Sequence, residues 1–384
     1  MKSLRHAVAL LVPALLALGA TLSFLVFGVA RRVVTPMRRP VDTRILAIDT
    51  GAQTIELERT DDTELPGRYG LFTTGTYGYV KIGAVLSADA TSVRRKLLTK
   101  IETGARVDGG ASFSGYYYAS PSELHLSWQN IVIGSPAGPC PAWFFPAESS
   151  TWVIQVHGRG ATRVECLRAV PVLHAAGFPN LVVSYRNDGE APRSRSGGYA
   201  LGTSEWRDLD AAIAYALRHG AERVVLMGWS MGGAVVLQAA VSSSHRERIV
   251  GLILESPVVD WRTVLRYQAR KAGVRAPLPD LAMSALQRPL MARISGADDA
   301  ISFDRLDMVT RAAELRAPML ILHSADDGFV PIASSLALAQ ARPDLVTMPE
   351  FGIARHTKIW NYDQNGWSAA ITEWLQDQGF SASA

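Results

Sequence analysis

The sequence predicts an α/β protein: a mostly parallel sheet with helices on both faces, preceded by a small β-rich domain and an N-terminal transmembrane helix. Three observations lead to this prediction. A long apolar stretch begins the chain, short β-like runs separated by turn residues follow it, and strand-like runs alternate with helical ones from about residue 126. The 384 residues are enough for one large domain and a smaller one.

The apolar stretch covers residues 7–30 and carries no charge over its 24 residues, enough for a helix to cross a hydrocarbon core of about 30 Å. We interpret residues 1–33 as an uncleaved, single-pass anchor in the cell membrane. A signal peptide is the alternative, since GVA at 28–30 resembles a cleavage site. More positive charge follows the stretch than precedes it, which favours a cytoplasmic location for the part of the chain that follows. The flanking charges are Lys2 and Arg5 before the stretch, and Arg31, Arg32, Arg38 and Arg39 after it.

Residues 34–112 form the predicted β-rich domain. Short runs at 43–49, 53–59 and 77–86 have the composition of strands and are separated by Gly, Thr and Asp turns. No chemical motif is found in this part of the chain, so its role is left open.

Residues 113–384 form the predicted α/β domain. Strand-like runs lie at 151–156, 180–185, 223–228, 249–255 and 318–323, and helical runs lie at about 162–176, 204–219, from 231, near 333–341 and near 366–378. Strands that are apolar nearly throughout indicate a parallel sheet covered on both faces. About 60 residues separate Glu255 from Pro318, more than one crossover helix needs. We expect a small helical lid at about 260–300; packing helices without ligand contact are the alternative.

Composition excludes some partners and sites. The formal charge is +4 and the arginines form no dense cluster, so no nucleic-acid partner is expected. Cys140 and Cys166 have no metal-ligand spacing, which argues against a zinc site and leaves a disulfide open.

The segment VVLMGWSMGGAVVLQ (224–238) carries the strongest chemical signal. Ser230 stands between Gly228 and Gly232, where a buried strand ends and a helix begins, which is typical of a nucleophile elbow. The turn lifts the hydroxyl above the sheet, and the N-terminus of the helix favours developing negative charge.

Partners for Ser230 follow in the order expected after such an elbow, an acid and then a histidine. Asp327 comes just beyond a buried strand in PMLILHSADDGFVP (318–331), and His356 lies in EFGIARHTKIWN (350–361), after a short strand predicted at 344–348. A carboxylate holding an imidazole that accepts the serine proton is the arrangement nucleophilic catalysis requires.

A glycine-rich turn in VIQVHGRGA (153–161) can supply an oxyanion donor. A backbone N–H of Arg159 or Gly160 would pair with that of Met231. His157 is expected to hold the turn by hydrogen bonding. The polar loop at 185–198 is interpreted as solvated, with contact of Arg186 or Arg193 to an anionic group as the alternative.

Together, HGRG, GWSMGG, HSADDGFVP and RHTKIWN resemble the α/β-hydrolase superfamily over roughly residues 126–384. Within it, the chain is similar to membrane-anchored α/β-hydrolase-domain proteins and to prolyl-oligopeptidase-like catalytic domains. The resemblance implies an α/β-hydrolase fold with Ser230 as nucleophile, Asp327 as acid, His356 as base, and the amides of Arg159 and Met231 as oxyanion donors.

The acid position departs from the family pattern. The family more often has glycine after the histidine of HSADD and a single acidic residue, so Asp326 is a rival to Asp327. Asp327 is favoured because it keeps the Asp-x-x-Val-Pro spacing. Glu255 is a lesser rival, since some relatives take their acid from the end of the preceding strand.

The predicted function is a serine hydrolase that cleaves carboxylic ester or thioester bonds through an acyl-enzyme, with no metal or cofactor. A small-molecule or lipid-like acyl compound is the expected substrate, and the oligomeric state is not predicted. A prolyl-oligopeptidase-type peptidase is an alternative, although about 90 residues before the α/β domain are too few for a propeller. An acyltransferase and a catalytically silent, membrane-tethered binding protein remain further alternatives.

Overall fold

The computed structural model describes residues 2–36, 39–74, 77–101 and 109–380, so Arg38 lies outside the described residues. The first element is a long helix, α1 (Lys2–Val34). Within it, Leu15–Val34 is long and apolar enough to span a membrane, a test that a signal sequence would also pass.

A closed antiparallel barrel follows α1. Its six strands are β1 (Thr43–Asp49), β2 (Thr54–Glu58), β3 (Tyr69–Thr73), β4 (Tyr79–Ala88), β5 (Ser92–Leu97) and β6 (Gly109–Ser114). They pair in the order β1-β2-β5-β4-β3-β6, with β6 closing on β1. Apolar side chains fill the interior, among them Ile55, Leu57 and Leu71, because alternate residues of each strand point inward. The predicted β-rich segment is therefore a barrel.

A second, larger sheet forms the rest of the protein. Its strands are β7 (Gln129–Ser135), β8 (Gly138–Phe145), β9 (Thr151–Val156), β10 (Asn180–Val183), β11 (Arg223–Trp229), β12 (Ile249–Glu255), β13 (Met319–Ser324), β14 (Val346–Thr347) and β15 (Glu350–Phe351). The order is β14-β13-β12-β11-β9-β10-β8-β7, and β15 also pairs with β13. Strands β9 to β14 run parallel, and β7 and β8 are antiparallel. The mostly parallel sheet is confirmed.

Helices cover both faces of this sheet. They are α2 (Val170–Ala175), α3 (Trp206–Arg218), α4 (Met231–Ser242), α8 (Ala333–Ala341), α9 (Ile359–Tyr362) and α10 (Gln364–Asp377), with α5 (Trp261–Lys271), α6 (Leu278–Leu286) and α7 (Pro289–Ile294) between β12 and β13. One apolar core contains side chains of α3 and α4, and a second, on the opposite face, contains those of α2 and α10.

Two stretches differ from the sequence-based expectation. The single helix expected at 162–176 is a 3₁₀ turn at Arg163–Arg168 followed by α2. Pro171 lacks a backbone N–H, so it fits only the first turn of a new helix. The strand expected at 344–348 is shorter and is followed by a second short strand, β15.

The C-terminal end of α1 packs into the body of the protein. Ala30 and Val34 are fully buried in the same core as α3 and α4. The backbone N–H of Tyr199 donates to the carbonyl of Val34 at 2.7 Å. This end of the apolar helix is therefore part of the packed structure.

Candidate active site

Ser230 lies in the sharp turn between β11 and α4. Its backbone has φ 51° and ψ −116°, a conformation that non-glycine residues rarely adopt. Surrounding segments hold it there, since its N–H donates to the carbonyl of Glu255 at 3.0 Å and its own carbonyl accepts from Val258 and Gly233, both at 3.0 Å. The turn thus presents the hydroxyl at the carboxyl ends of the parallel strands.

The glycines around Ser230 are needed because other backbone segments approach closely. A Cβ at Gly232 would lie 2.2 Å from the carbonyl oxygen of Val156, and a Cβ at Gly228 would lie 2.6 Å from the carbonyl group of Gly232. Atoms cannot approach so closely without a backbone shift. The small residues therefore allow the first turn of α4 to pack directly against the end of β9.

His356 links Ser230 to Asp327. Its Nε2 lies 2.9 Å from Ser230 Oγ, and its Nδ1 lies 2.7 Å from Asp327 Oδ2. The three residues come from the β11–α4 turn, the loop after β13 and the loop after β15. With Nδ1 donating to the carboxylate, Nε2 is left as an acceptor for the serine hydroxyl.

Asp327 is buried and fully hydrogen-bonded. Its Oδ1 accepts from the N–H groups of Phe329 and Val330, both at 2.8 Å, and its Oδ2 lies 3.3 Å from Nε2 of the buried His323. Burial acts to raise the pKa of Asp327, but the neighbouring His356 and the hydrogen bonds from His323 and His356 outweigh it and hold the pKa well below its usual range. The carboxylate therefore stays ionised. Sequence reasoning missed His323, whose position in HSADD was the available signal.

The two rival acids have other partners. Asp326 is partly exposed and lies 3.4 Å from Nε of Arg355. Glu255 is buried and accepts from the indoles of Trp229 and Trp367 at 2.9 and 3.0 Å, and burial raises its pKa. Among the described residues, neither rival is hydrogen-bonded to His356.

The loop carrying His356 has an unusual backbone. Arg355 and Thr357, on either side of the histidine, have φ values of 59° and 52°. Ion pairs tie the loop to the barrel: Arg355 Nη2 lies 2.7 Å from Asp61 Oδ2, and Lys358 Nζ lies 3.2 Å from Asp62 Oδ1. The barrel therefore contacts the segment that positions the imidazole.

A buried asparagine also connects the barrel with this loop. Asn361 Nδ2 donates to the carbonyls of Arg68 at 2.7 Å and of Gly115 at 2.9 Å. Its Oδ1 accepts from Arg168 Nη1 at 2.7 Å, and the same nitrogen donates to the carbonyl of Thr357, also at 2.7 Å. Sequence reasoning missed Asn361 and Arg168, because a single polar residue in a helical segment carries no signal of a partner far away in the chain.

The HGRG turn is fixed from several sides. His157 is fully buried, with Nε2 3.1 Å from Asp188 Oδ2 and the ring stacked on Tyr185, so it holds the turn as expected. Arg186, expected in a solvated loop or facing an anion, instead makes a two-point contact with Asp208, Nε to Oδ2 at 2.7 Å and Nη2 to Oδ1 at 2.6 Å. Of the fourteen residues at 185–198, six are buried and five are exposed, so the loop is solvated only in part. Arg193 is exposed and does not line the cavities described below.

The backbone N–H groups of the HGRG turn (157–160) have different hydrogen-bond acceptors. The N–H of Gly158 donates to Glu165 Oε2 at 2.7 Å, and that of Gly160 donates to the hydroxyl of Tyr199 at 3.3 Å. The guanidinium of Arg159 donates through Nη2 to the carbonyls of Arg32 at 2.9 Å and Thr35 at 2.8 Å. The turn is therefore attached to the C-terminal end of α1.

Two large cavities meet near Ser230. One of about 780 Å³ is mainly apolar and lies between the end of α1 and helices α5 and α6. The other, about 740 Å³, is a polar cleft between the barrel and the His356 loop. A smaller cavity of about 260 Å³ is lined by both Ser230 and His356 and lies between the two large cavities. Sizes of this order suit small-molecule ligands.

Comparison with known families agrees with the fold. Residues 141–376 match a family described as "Alpha/beta hydrolase family", which is more than half of the chain. The chain belongs to the alpha/beta hydrolase family. Residues 44–114, which contain the barrel strands, match a family described as "Domain of unknown function (DUF8805)". The predicted superfamily is thereby confirmed.

Individual relatives of this alpha/beta hydrolase are esterases. A pimeloyl-[acyl-carrier protein] methyl ester esterase from Vibrio parahaemolyticus is 23% identical over 255 residues, which cover 58% of this chain and 89% of the relative. Among solved structures, the Pyrococcus furiosus esterase Pf2001 has a TM-score of 0.53 at 15% identity, covering 68% of this chain and 94% of that one. The family match confirms the predicted class of α/β hydrolase, and the esterase activity is that of the relatives.

Proposed function

We propose that this alpha/beta hydrolase is a serine esterase that uses Ser230 as nucleophile, His356 as general base and Asp327 as the acid that orients it. The observation that carries the proposal is the position of the imidazole, within hydrogen-bond distance of both Ser230 Oγ and Asp327 Oδ2. A serine hydroxyl is a weak nucleophile until an adjacent base accepts its proton. The esterase names of the relatives support an ester as the bond that is cleaved.

The first half of the reaction forms an acyl-enzyme. His356 Nε2 accepts the Ser230 proton as Oγ attacks the acyl carbon, and the ionised Asp327 stabilises the imidazolium. The oxyanion would be bound by the N–H of Met231, the first residue of α4, whose N–H has no acceptor within the helix. The second donor would be the N–H of Arg159 in the HGRG turn, the position that the family resemblance implies. One such donor is worth roughly 3–4 kcal/mol in measured cases.

The second half releases the products. His356 donates its proton to the leaving alcohol, which departs as the acyl carbon–oxygen bond breaks. Water then attacks the acyl-enzyme with His356 again as base, and the acid is released with Ser230 restored. A thioester would follow the same steps with a thiol as leaving group.

We further propose that α1 anchors the protein to the cell membrane. Its apolar segment is long enough to span a membrane. The burial of Ala30 favours a retained helix over a cleaved signal peptide, because cleavage after Ala30 would remove that packed side chain and leave the buried Val34 as the fourth residue from a new N-terminus. The arginines that follow the apolar stretch favour a cytoplasmic location for the site.

Labelling with a fluorophosphonate probe tests the proposed chemistry. The full-length protein in detergent is compared with Ser230→Ala, His356→Ala and, as a matched control on an exposed carboxylate, Asp326→Asn. We expect labelling of the parent and of Asp326→Asn, and none of the two alanine variants. If the folded parent does not label, the catalytically silent binding protein becomes the better account. Hydrolysis of peptide substrates without hydrolysis of esters would favour the peptidase.

A further inference from the structure

The end of α1 forms one wall of the apolar cavity beside Ser230. Val29 and Val33 of α1 line it on one side, and Leu265, Ala269 and Met283 of α5 and α6 line it on the other. Ser230 itself lies at its boundary, so the cavity opens directly onto the proposed nucleophile.

This wall is held in place by the proposed catalytic machinery. The carbonyls of Arg32 and Thr35 accept hydrogen bonds from the guanidinium of Arg159, whose amide is the proposed oxyanion donor. The carbonyl of Val34 accepts from the N–H of Tyr199. The last turns of α1 are thereby attached to the HGRG turn and to Tyr199.

The cleft between the barrel and the His356 loop, on the other side of Ser230, is polar where the first cavity is apolar. The polar cleft is lined by charged groups of both signs, among them Lys271 and the pairs Arg355–Asp61 and Lys358–Asp62. An ester bond placed at Ser230 would therefore have an apolar environment for one half of the molecule and a polar environment for the other.

We propose that the site takes esters of long, apolar acyl chains, with the last turns of α1 forming one wall of the acyl cavity and the alcohol lying in the polar cleft. The inference rests on the proposed esterase function. Upstream of the wall, α1 exposes large apolar side chains, including Leu18, Leu22 and Phe24. If these contact lipid, the acyl cavity lies at the membrane surface, where such substrates are found.

The dependence of kcat/KM on the length of the acyl chain tests how much of that chain the apolar cavity holds. Each methylene moved from water into an apolar cavity is expected to raise kcat/KM by up to about fourfold until the cavity is filled. We would measure kcat/KM of the full-length protein in detergent for p-nitrophenyl acetate, butyrate, octanoate and dodecanoate. The parent is expected to prefer octanoate or dodecanoate.

Large side chains introduced on α1 test whether this helix forms a wall of the apolar cavity. Val29→Trp is expected to lower the octanoate-to-acetate ratio of kcat/KM at least about tenfold, because the indole would occupy the space of the longer acyl chain. Leu22→Trp places the same indole seven residues earlier, on nearly the same face of α1 but outside the cavity, and should keep the parental ratio. Ala269→Trp fills the cavity from α5 and provides the same test if Val29→Trp does not fold.

The outcomes separate this inference from the proposed function. A parent that neither labels nor hydrolyses any ester would refute the esterase itself. A parent that labels and hydrolyses acetate best would overturn only the acyl-cavity inference. It would also be overturned if a folded Val29→Trp or Ala269→Trp kept the parental ratio, or if Leu22→Trp changed it equally.

Discussion

Asn361 offers a direct test of whether the barrel positions the proposed catalytic histidine. It is 3% exposed and lies five residues after His356, at the contact between α9 and the barrel. Its side chain makes three hydrogen bonds, to the carbonyls of Arg68 and Gly115 and from the guanidinium of Arg168. In Asn361→Ala the two carbonyls lose these donors, and Arg168 keeps its bond to the carbonyl of Thr357.

The expected loss follows from these three bonds. Each intramolecular hydrogen bond contributes about 0.5–1.5 kcal/mol to stability, so Asn361→Ala should lower the free energy of unfolding by roughly 2–4 kcal/mol. The His356 loop would also lose the Asn361 attachment to the barrel, while the ion pairs Arg355–Asp61 and Lys358–Asp62 remain. A displacement of about 1 Å at a reacting group can lower a rate roughly a hundredfold, so we expect slower labelling of Ser230 even where the variant is fully folded.

Two measurements test this reasoning on the same samples. Guanidinium unfolding gives the change in stability, and the second-order rate of fluorophosphonate labelling gives the change at Ser230. Asn130→Ala serves as control, because Asn130 is an exposed asparagine of β7. A folded Asn361→Ala that unfolds at the parental midpoint and labels at the parental rate would refute the view that the barrel positions His356.

Three further predictions concern the elbow and the acid. Asp327→Asn should lower kcat for ester hydrolysis roughly ten-thousand-fold, as in a measured triad, whereas Asp326→Asn should leave it unchanged. Because the pKa of Asp327 lies below that of an unfolded aspartate, about 4, its stabilising effect is present above that pH and is lost as the pH falls further. The difference in unfolding free energy between parent and Asp327→Asn should therefore shrink in denaturant titrations below about pH 4. Gly232→Ala should destabilise by about 1–3 kcal/mol and abolish labelling, since its Cβ would meet the carbonyl of Val156, whereas Gly134→Ala, with open space around it, should do neither.

The sequence predicted what is encoded locally. Strand-like apolar runs fixed the parallel sheet, because strands buried on both faces need apolar side chains at every position. Ser230 could be recognised because the turn that exposes it requires small neighbours within a few residues, at Gly228 and Gly232. Asp327 and His356 followed from chain order and from their positions after buried strands, and the structure brings both to Ser230.

Contacts between distant segments were not predictable in this way. Nothing in the apolar pattern of α1 indicates that its last turns pack against α6 and the HGRG turn, since the same composition suits a tether or a signal sequence. The pairing of Arg186 with Asp208 depends on how α3 lies against the loop before it. No chemical motif is found in the barrel segment, and its contacts to Asn361 are made by the backbone carbonyls of Arg68 and Gly115, which any residue could supply.

Strained backbone conformations at the proposed site are held by contacts that extend to the barrel. Of the eight non-glycine residues with positive φ in the described ranges, four lie at the site: Ser230, Ser256, Arg355 and Thr357. Such conformations cost about 1–3 kcal/mol each and persist only where surrounding contacts hold them. A positive φ is especially unfavourable for Thr357 because its side chain is branched at Cβ. Two hydrogen bonds hold this residue: its N–H donates to the Ser256 hydroxyl at 3.2 Å, and its carbonyl accepts from Arg168. Arg168 is in turn fixed by Asn361 and through it by the barrel, so the conformation beside His356 depends on both parts of the protein being folded together.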